Sequence, residues 1–307
     1  MSEPYTSYVV SRLRAWIIAV RPATLPISAA PVLLGTALAL YDKKFAPVPA
    51  LVALCCALLL QVVSNLVNDV YDFRRGADTR ERLGPPRAVA SGILAQSQVE
   101  RAAWYVAGTA FIMGQYLVWI GGWQILALGI LALVIAWAYT GSPVALAYRG
   151  LGEVCAFVFF GIVPVCGTYY VQTHTWSFTV LCASIAPGLW AASVLLVNNI
   201  RDISTDTAAG KGTLAVRIGD KRARYLYCML VGGALGISGV CALMYYSWIV
   251  LLSAGMIVPW GVAICRALMR AHGRDLNRVL VCTVGLGVMH SVLLSVAIVG
   301  QGLANRL

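Results

Sequence analysis

Acidic residues are the scarcest chemistry in this sequence: 12 Asp and Glu in 307 residues, against 23 Lys and Arg. Charged residues of both signs make up only 11% of the chain, where a soluble domain carries about a quarter. With 60% hydrophobic residues and a mean hydropathy of +0.80, that shortage excludes an ordinary soluble domain and leaves an integral membrane protein. Histidine is rarer still, and His174, His272 and His290 are too scattered for a metal site. The nine cysteines form no C-x-x-C pair, which argues against a zinc ribbon or a disulfide framework. They lie in or at the end of apolar runs and read as small packing residues. Ten-residue stretches of alternating polarity, about the length of a β-barrel strand, are also missing.

What is present is a series of long apolar runs. A helix that crosses a bilayer needs about 20 apolar residues, and nine runs qualify, near 15–40, 47–70, 102–120, 123–140, 151–171, 178–200, 224–246, 248–266 and 279–301. The expected fold is all-α and integral to the membrane, a bundle of about nine transmembrane helices. Residues 1–14 are expected to form a polar leader and 15–303 a single transmembrane domain. Gly121-Gly122 and Tyr246-Ser247 are the softest of the breaks. Arg21-Pro22 interrupts the first run, which is also too long for a signal-peptide core. Pro22, Pro26 and Pro31 predict an irregular entry into the membrane; Arg21 either snorkels to the surface or faces a polar cavity. Packing is the expected role of Gly108, Gly114, Gly121 and Gly129, Pro187-Gly188 predicts a kink, and His290 suits a polar contact between helices.

Basic residues orient the bundle. With the N-terminus inside, residues 1–14 and the loops 71–101, 141–150, 201–223 and 267–278 hold 20 of the 23 Lys and Arg, counting Arg21, Arg224 and Arg266 with their nearest ends. Only Lys43, Lys44 and Arg306 fall outside. The positive-inside rule then places the N-terminus and these loops in the cytoplasm. The net charge of +11 is a topology signal, and no nucleic-acid partner is expected.

Against this background the few carboxylates are concentrated. The stretch from Gln61 to Gly92, QVVSNLVNDVYDFRRGADTRERLGPPRAVASG, contains Asp69, Asp72, Asp78 and Glu81 among five arginines. If the second span continues as a helix, spacings of three and four put Asn65, Asn68, Asp69 and Asp72 on one face. A second stretch, VNNIRDISTDTAAGKGTLAVRIG from Val197 to Gly219, repeats the pattern with Asn198, Asp202 and Asp206 at intervals of four. Four spans separate the two, so both emerge on the same side. Oxygen-bearing stripes of this kind suit Mg2+, which keeps waters that a phosphate can replace. Neighbouring Arg and Lys can take the remaining charge of a diphosphate, and the apolar bundle can take a lipid tail. GPPRAVASG reads as a rigid turn presenting Arg87, with a short lid helix or helix start near Ser91 or Ser97. Tyr139, Tyr148, Arg149 and Glu153 cluster on the same side, and a carboxylate just inside a span, as at Glu153, points to a functional or paired role.

NDVYDFRRGAD at 68–78 and NNIRDISTDTAAGKGTLAVRIG at 198–219 resemble the two Asp-rich motifs of the UbiA superfamily of intramembrane aromatic prenyltransferases. RPATLPISAAPVLLG, the 65–92 stretch and YRGLGEV are most similar to its branch that prenylates 1,4-dihydroxy-2-naphthoate in menaquinone synthesis. The resemblance runs from about residue 16 to 219 and implies the nine-helix fold of that superfamily. It further implies Mg2+ held by Asn68, Asp69, Asp72, Asp202 and Asp206, and a diphosphate bound by Arg75, Arg201, Lys211 and Arg217. A polyprenyl diphosphate would ionise and its allylic cation be attacked by the aromatic ring, with loss of CO2 when the acceptor is dihydroxynaphthoate. Much of the superfamily spaces its first motif N-D-x-x-D-x-x-x-D, whereas here Gly76 stands four after Asp72 and the next carboxylate is Asp78. That leaves Asp78 open between metal ligand, base and acceptor contact, the last being favoured. Tyr139, Tyr148 and Arg149 would shield the cation or orient the acceptor carboxylate.

Other readings remain at this point. 4-Hydroxybenzoate or homogentisate could be the acceptor. A secondary transporter would also be an apolar bundle with repeated carboxylates, though its site belongs near the bilayer midplane. A CDP-alcohol phosphotransferase would carry a D-G-x-x-A-R lead-in, which is absent before Asp202, and a non-catalytic scaffold gives no reason for paired Asp stripes.

Overall fold

Proline and glycine set the ends of the helices in the computed structural model, which describes residues 11–78, 83–141, 144–245 and 247–305. Residues 1–10 of the leader, Arg306, and Arg80, Glu81 and Arg82 of the first loop lie outside the described residues. Helix α1 (Arg12–Val20) stops at Arg21, whose φ of 55° is left-handed, and a 3-10 turn (Pro22–Thr24) leads into α2 (Leu25–Tyr41). This is the irregular entry that the prolines predict. Helix α3 (Pro47–Arg74) has proline in its first turn, where no backbone N–H is needed, and its chain turns off at Gly76, φ 67°. Next come α4 (Gln96–Gly121) and α5 (Trp123–Ala138), separated at Gly122, φ 73°. Helix α6 (Gly152–Phe157) runs through a π turn (Val158–Ile162) into α7 (Val163–Thr173). Helix α8 (Phe178–Arg201) leads to two short helices, α9 (Ile203–Ala208) and α10 (Leu214–Ile218). Three long helices close the bundle: α11 (Asp220–Met244), α12 (Trp248–Arg270) and α13 (Leu276–Ala304).

Eight of these helical runs are long and apolar enough to cross a membrane, and α5, with 16 residues, is a shorter ninth. The chain is a multi-pass, all-helical membrane protein, and both soft breaks are real interruptions. No helix is found among the described residues of the 83–95 segment: it is a run of turns, and α4 begins one residue before Ser97. The expected lid helix is therefore a lid of turns.

Inside lipid the tails are as apolar as the side chains, so close packing must hold the helices together. Glycine permits it at three crossings. A Cβ on Gly161 would lie 2.5 Å from the Cα of Gly188, one on Gly35 2.5 Å from the Val165 carbonyl oxygen, and one on Gly287 2.9 Å from Trp190. Nothing lies within 4 Å of a Cβ placed on Gly108, Gly114 or Gly129, so these do not serve the packing role the sequence suggests. Gly114 and Gly129 line a cavity instead, where the missing side chain leaves room. Three helices are also stitched by a buried polar chain. Trp190 Nε1 of α8 donates to His290 Nδ1 of α13 (2.8 Å), and Ser238 of α11 bonds Nε2 (2.7 Å). Indole N–H is donor-only, so Nδ1 accepts and Nε2 carries the proton that goes to Ser238.

Candidate active site

The cavity has a volume of about 720 Å³ and is walled by α1 to α8 and α13. Along α3 its lining runs from Ala53 to Asp72, about 28 Å at the helical rise and close to the roughly 30 Å apolar thickness of a bilayer. Most of the wall is aliphatic or aromatic, including Leu117, Leu128, Phe159 and Val194; the polar groups gather at the Asp72 end. One side is open. Helix α5 packs on α3 and α4 while α6 and α7 face it across the cavity, so Ile130 lines the cavity and is still 47% exposed.

At the polar end α3 presents Gln61, Asn65, Asn68 and Asp72 to the cavity. Asn65 is committed to the chain break: its amide nitrogen donates to the Val20 carbonyl (2.8 Å) and Thr24 Oγ1 (3.0 Å), where the α1 helix has ended and leaves an acceptor exposed. Asn68 Oδ1 accepts from Thr140 (2.8 Å). Asp69 sits about 100° round the helix from Asn68 and is set back from the cavity. Its carboxylate accepts the backbone N–H groups of Ala88 (3.1 Å) and Val89 (3.5 Å) and is fully buried. Asp69 is thus the peg that holds the GPPRAVASG turn over the site.

Asp72 is the centre of a charge cluster and is 2% exposed. Arg87 reaches it from the turn (3.2 Å) and also pairs with Asp78 (3.4 Å). Tyr148 donates to its other oxygen (3.1 Å), and the Arg75 guanidinium stacks 4.4 Å above the Tyr148 ring. Lys211, from the loop after α9, stands between the two motifs, 3.7 Å from Asp72 and 3.8 Å from Asp206. Burial alone would push the Lys211 ammonium down, but Asp72, Asp206, Asp202 and Asp78 outweigh it and hold its pKa above the ordinary lysine value. Lys211 is therefore charged at neutral pH. Burial, then Asp72, push the Tyr148 phenol up, so it stays a hydrogen-bond donor.

The second motif is braced differently. Arg201 donates through Nε and Nη2 to both oxygens of Asp202 (2.8 and 2.6 Å), through Nη2 to Asn198 (2.7 Å) and through Nη1 to Asn277 of α13 (2.7 Å). Four of its five donors are thereby used. Asn277 in turn donates to the Leu83 carbonyl (2.9 Å), and Gly84 lies so close to Arg201 that a Cβ there would be 2.7 Å from Nη2. The turn over the site is thus tied to α3 at one end and to α8 and α13 at the other.

Of the residues singled out from sequence, Asn68, Asp72, Tyr139, Arg201 and Lys211 line the cavity. Asp78, Tyr148, Asp202 and Asp206 form the layer behind them, through the pairs given above. Arg217 and Arg149 are exposed at the rim; Arg217 donates to the Gly212 carbonyl (2.9 Å), and Arg149 makes no ion pair among the described residues. Arg21 and Arg87 were left out of the diphosphate set and both line the cavity, as do Asn199 and Asn277. An arginine inside a proline-broken span was the available signal for Arg21; nothing in sequence links Asn277 to motifs that end far upstream of it in the chain.

No group of three or more Asp, Glu, His or Cys side chains lies close enough to hold a metal among the described residues. The donors nonetheless fit a hard cation: Asn68, Asp72 and Asp206 supply oxygens from both motifs, and Lys211 already occupies the gap between two of the carboxylates with a positive charge.

Known proteins agree with this architecture. Residues 28–291 match the UbiA prenyltransferase family. The 1,4-dihydroxy-2-naphthoate octaprenyltransferase of Escherichia coli (strain K12) is 36% identical over 267 residues, 82% of this chain and 85% of that protein. The enzyme of the same name from Mycobacterium tuberculosis is 39% identical over 225 residues, 73% of this chain and 75% of that one. Among solved structures, a UbiA homolog from Archaeoglobus fulgidus bound to DMAPP and Mg2+ superposes with a TM-score of 0.67 at 14% identity, over 94% of this chain and 98% of that chain. An apo UbiA homolog from Aeropyrum pernix K1 gives 0.68 at 16% identity, over 92% and 98%. With the helix order, the paired Asp motifs and these matches together, the chain belongs to the UbiA prenyltransferase family.

Proposed function

We propose that the protein transfers a polyprenyl group from polyprenyl diphosphate to 1,4-dihydroxy-2-naphthoate, with Mg2+, loss of CO2 and release of diphosphate, giving demethylmenaquinol. The observation that carries this reading is the cavity: one end is an ionic cluster around Asp72, the remainder an apolar channel about as long as a bilayer is thick. The names of the bacterial relatives supply the acceptor. The inner membrane is the expected location, with the Asp-rich end cytoplasmic, as the basic loops indicate.

In this reading the tail lies along α3, between the α4–α5 pair and α6–α7, and enters beside Ile130. Arg21, Arg87, Arg201 and Lys211 face the diphosphate, while Arg75 keeps Tyr148 against Asp72. Mg2+ would be held by Asn68, Asp72 and Asp206, with Asp202 orienting Arg201 and Asp69 holding the turn; bound there, it offsets charge on the departing diphosphate. The allylic C–O bond breaks, the ring carbon that carries the carboxylate bonds to the allylic carbon, and CO2 leaves. The Tyr139 ring lines the wall where positive charge develops, and its π face favours a cation. The dry channel keeps water from the cation.

The test is incubation of purified protein in detergent with polyprenyl diphosphate and Mg2+, offering dihydroxynaphthoate and 4-hydroxybenzoate separately. A decarboxylated prenyl-naphthol, identified by mass and lost with chelator, is expected. Prenylated hydroxybenzoate alone would move the acceptor, and no product from folded protein would overturn the reading.

A further inference from the structure

Glu153 is a carboxylate that the reaction so far leaves unused. It stands in the first turn of α6, 5% exposed. Its Oε1 accepts from Asn199 Nδ2 of α8 (2.8 Å), and its Oε2 has no hydrogen-bond partner among the described residues. Nor has it an ion pair among them: Arg87, Arg201 and Lys211, the cations that line the cavity nearby, are engaged by Asp72, Asp202 and Asp206. A buried carboxylate with one oxygen idle is costly, and an interhelical clamp alone would be served as well by a neutral side chain.

Its surroundings belong to the cavity. Asn199, Cys155, Ala156 and Tyr139 all line it, and Asn199 lies two residues before Arg201, about 3 Å nearer the apolar part. Gly152 brings the Tyr139 hydroxyl alongside: a Cβ at position 152 would be 3.1 Å from that oxygen and 3.1 Å from Leu195 Cδ2, so a side chain there would crowd the ring. The carboxamide and the phenol thus face the space beyond the diphosphate end, where a ring must stand to attack the allylic carbon, and the idle carboxylate oxygen stands directly behind them, without surface of its own on the cavity.

We propose that Glu153 is the catalytic base for the aromatic acceptor, an assignment that rests on the prenyl-transfer reading. When the acceptor binds, the Glu153 side chain turns out to meet it; as the allylic C–O bond breaks, the acceptor hydroxyl gives its proton to Oε2 and its O–H electron pair moves into the ring. The ring carbon bearing the carboxylate forms the new C–C bond, and diphosphate leaves with the C–O pair. The C–CO2 bond then breaks, its pair restores the aromatic ring, and the oxygen recovers its proton from Glu153. No proton is gained or lost overall, which suits a buried base.

Glu153→Gln keeps the volume and the bond to Asn199 but cannot hold the proton. With dihydroxynaphthoate its kcat is expected to fall at least about 100-fold, the scale of general-base catalysis, while KM for prenyl diphosphate stays within about threefold by the same reasoning, since that end is untouched. Glu153→Asp should recover at least about tenfold of the loss, and Asn199→Leu, which breaks the clamp and keeps the carboxylate, should lose less than Glu153→Gln. A Glu153→Gln protein with wild-type kcat, or one less impaired than Asn199→Leu, overturns the assignment. Should Glu153→Gln not fold by thermal melting, wild-type protein is assayed with the acceptor hydroxyl methylated; a kcat loss below about tenfold then overturns it. A wild type inactive on any dihydroxynaphthoate preparation overturns the acceptor reading instead, and is distinguished by failing before any variant is made.

Discussion

Neighbouring carboxylates in one motif have different work. Asp72 faces the cavity and gathers Arg87, Lys211 and Tyr148, whereas Asp69 turns away and holds two backbone amides. Asp72→Asn is expected to lower kcat/KM by about 100-fold or more while leaving the helices intact, since it removes charge aimed at the reacting group; steady-state assays with circular dichroism check this. Asp69→Asn retains only one acceptor oxygen, so its first effect should be on the turn: hydrogen exchange at Ala88 and Val89 rises by about tenfold or more, the equivalent of about 1–3 kcal/mol for a lost buried bond. The sequence put both residues on one helical face, and helical spacing justified that. It could not tell them apart, because the partner of Asp69 is a backbone segment 19 residues away in the chain. Arg87 was legible as a presented residue, but its placement between Asp72 and Asp78 depends on how the turn folds back.

For the helices, glycine separates contact from space. Gly161 and Gly188 let the helix carrying Glu153 meet the helix carrying Asn199 and Arg201 backbone to backbone. Gly161→Ala is expected to destabilise by about 1–3 kcal/mol, as overpacking does, and to lower activity with it. Gly108→Ala, with open space around it, should melt within about 0.5 kcal/mol of wild type, as surface changes do. Thermal melting in detergent compares the two. Hydropathy made nearly every helix visible, and proline marked the irregular entry, because both signals are local. Which glycine sits at a crossing is decided by a partner helix, so sequence alone misassigned Gly114 and Gly129 to packing. The turns over 83–95 were misread as helical for a related reason: they are held by Asp69 and Asn277, from elsewhere in the chain.

Across the whole molecule the cavity fixes what can be bound. Gly129→Phe places a ring in the channel wall well beyond Asp72, and is expected to shift the preferred prenyl diphosphate to a shorter chain with little change in the diphosphate contacts. Competition between long and short donors, with product masses compared, measures the shift; an unchanged preference would place the tail elsewhere. The nine runs, their order and the convergence of two Asp stripes were readable from residue types and spacing. The open side beside α5 was not, since it reflects how a short helix fails to meet α6 and α7.

The resting ion pairs have a consequence for the membrane itself. A cavity nearly as long as a bilayer is thick would be a hazard to any cell that lives on ion gradients if it filled with water. Here Lys211 and Arg87 neutralise the carboxylates at one end, and the remaining wall is apolar enough to stay dry. An idle enzyme is in this way electrically sealed, and the membrane that houses it can keep its proton-motive force between turnovers.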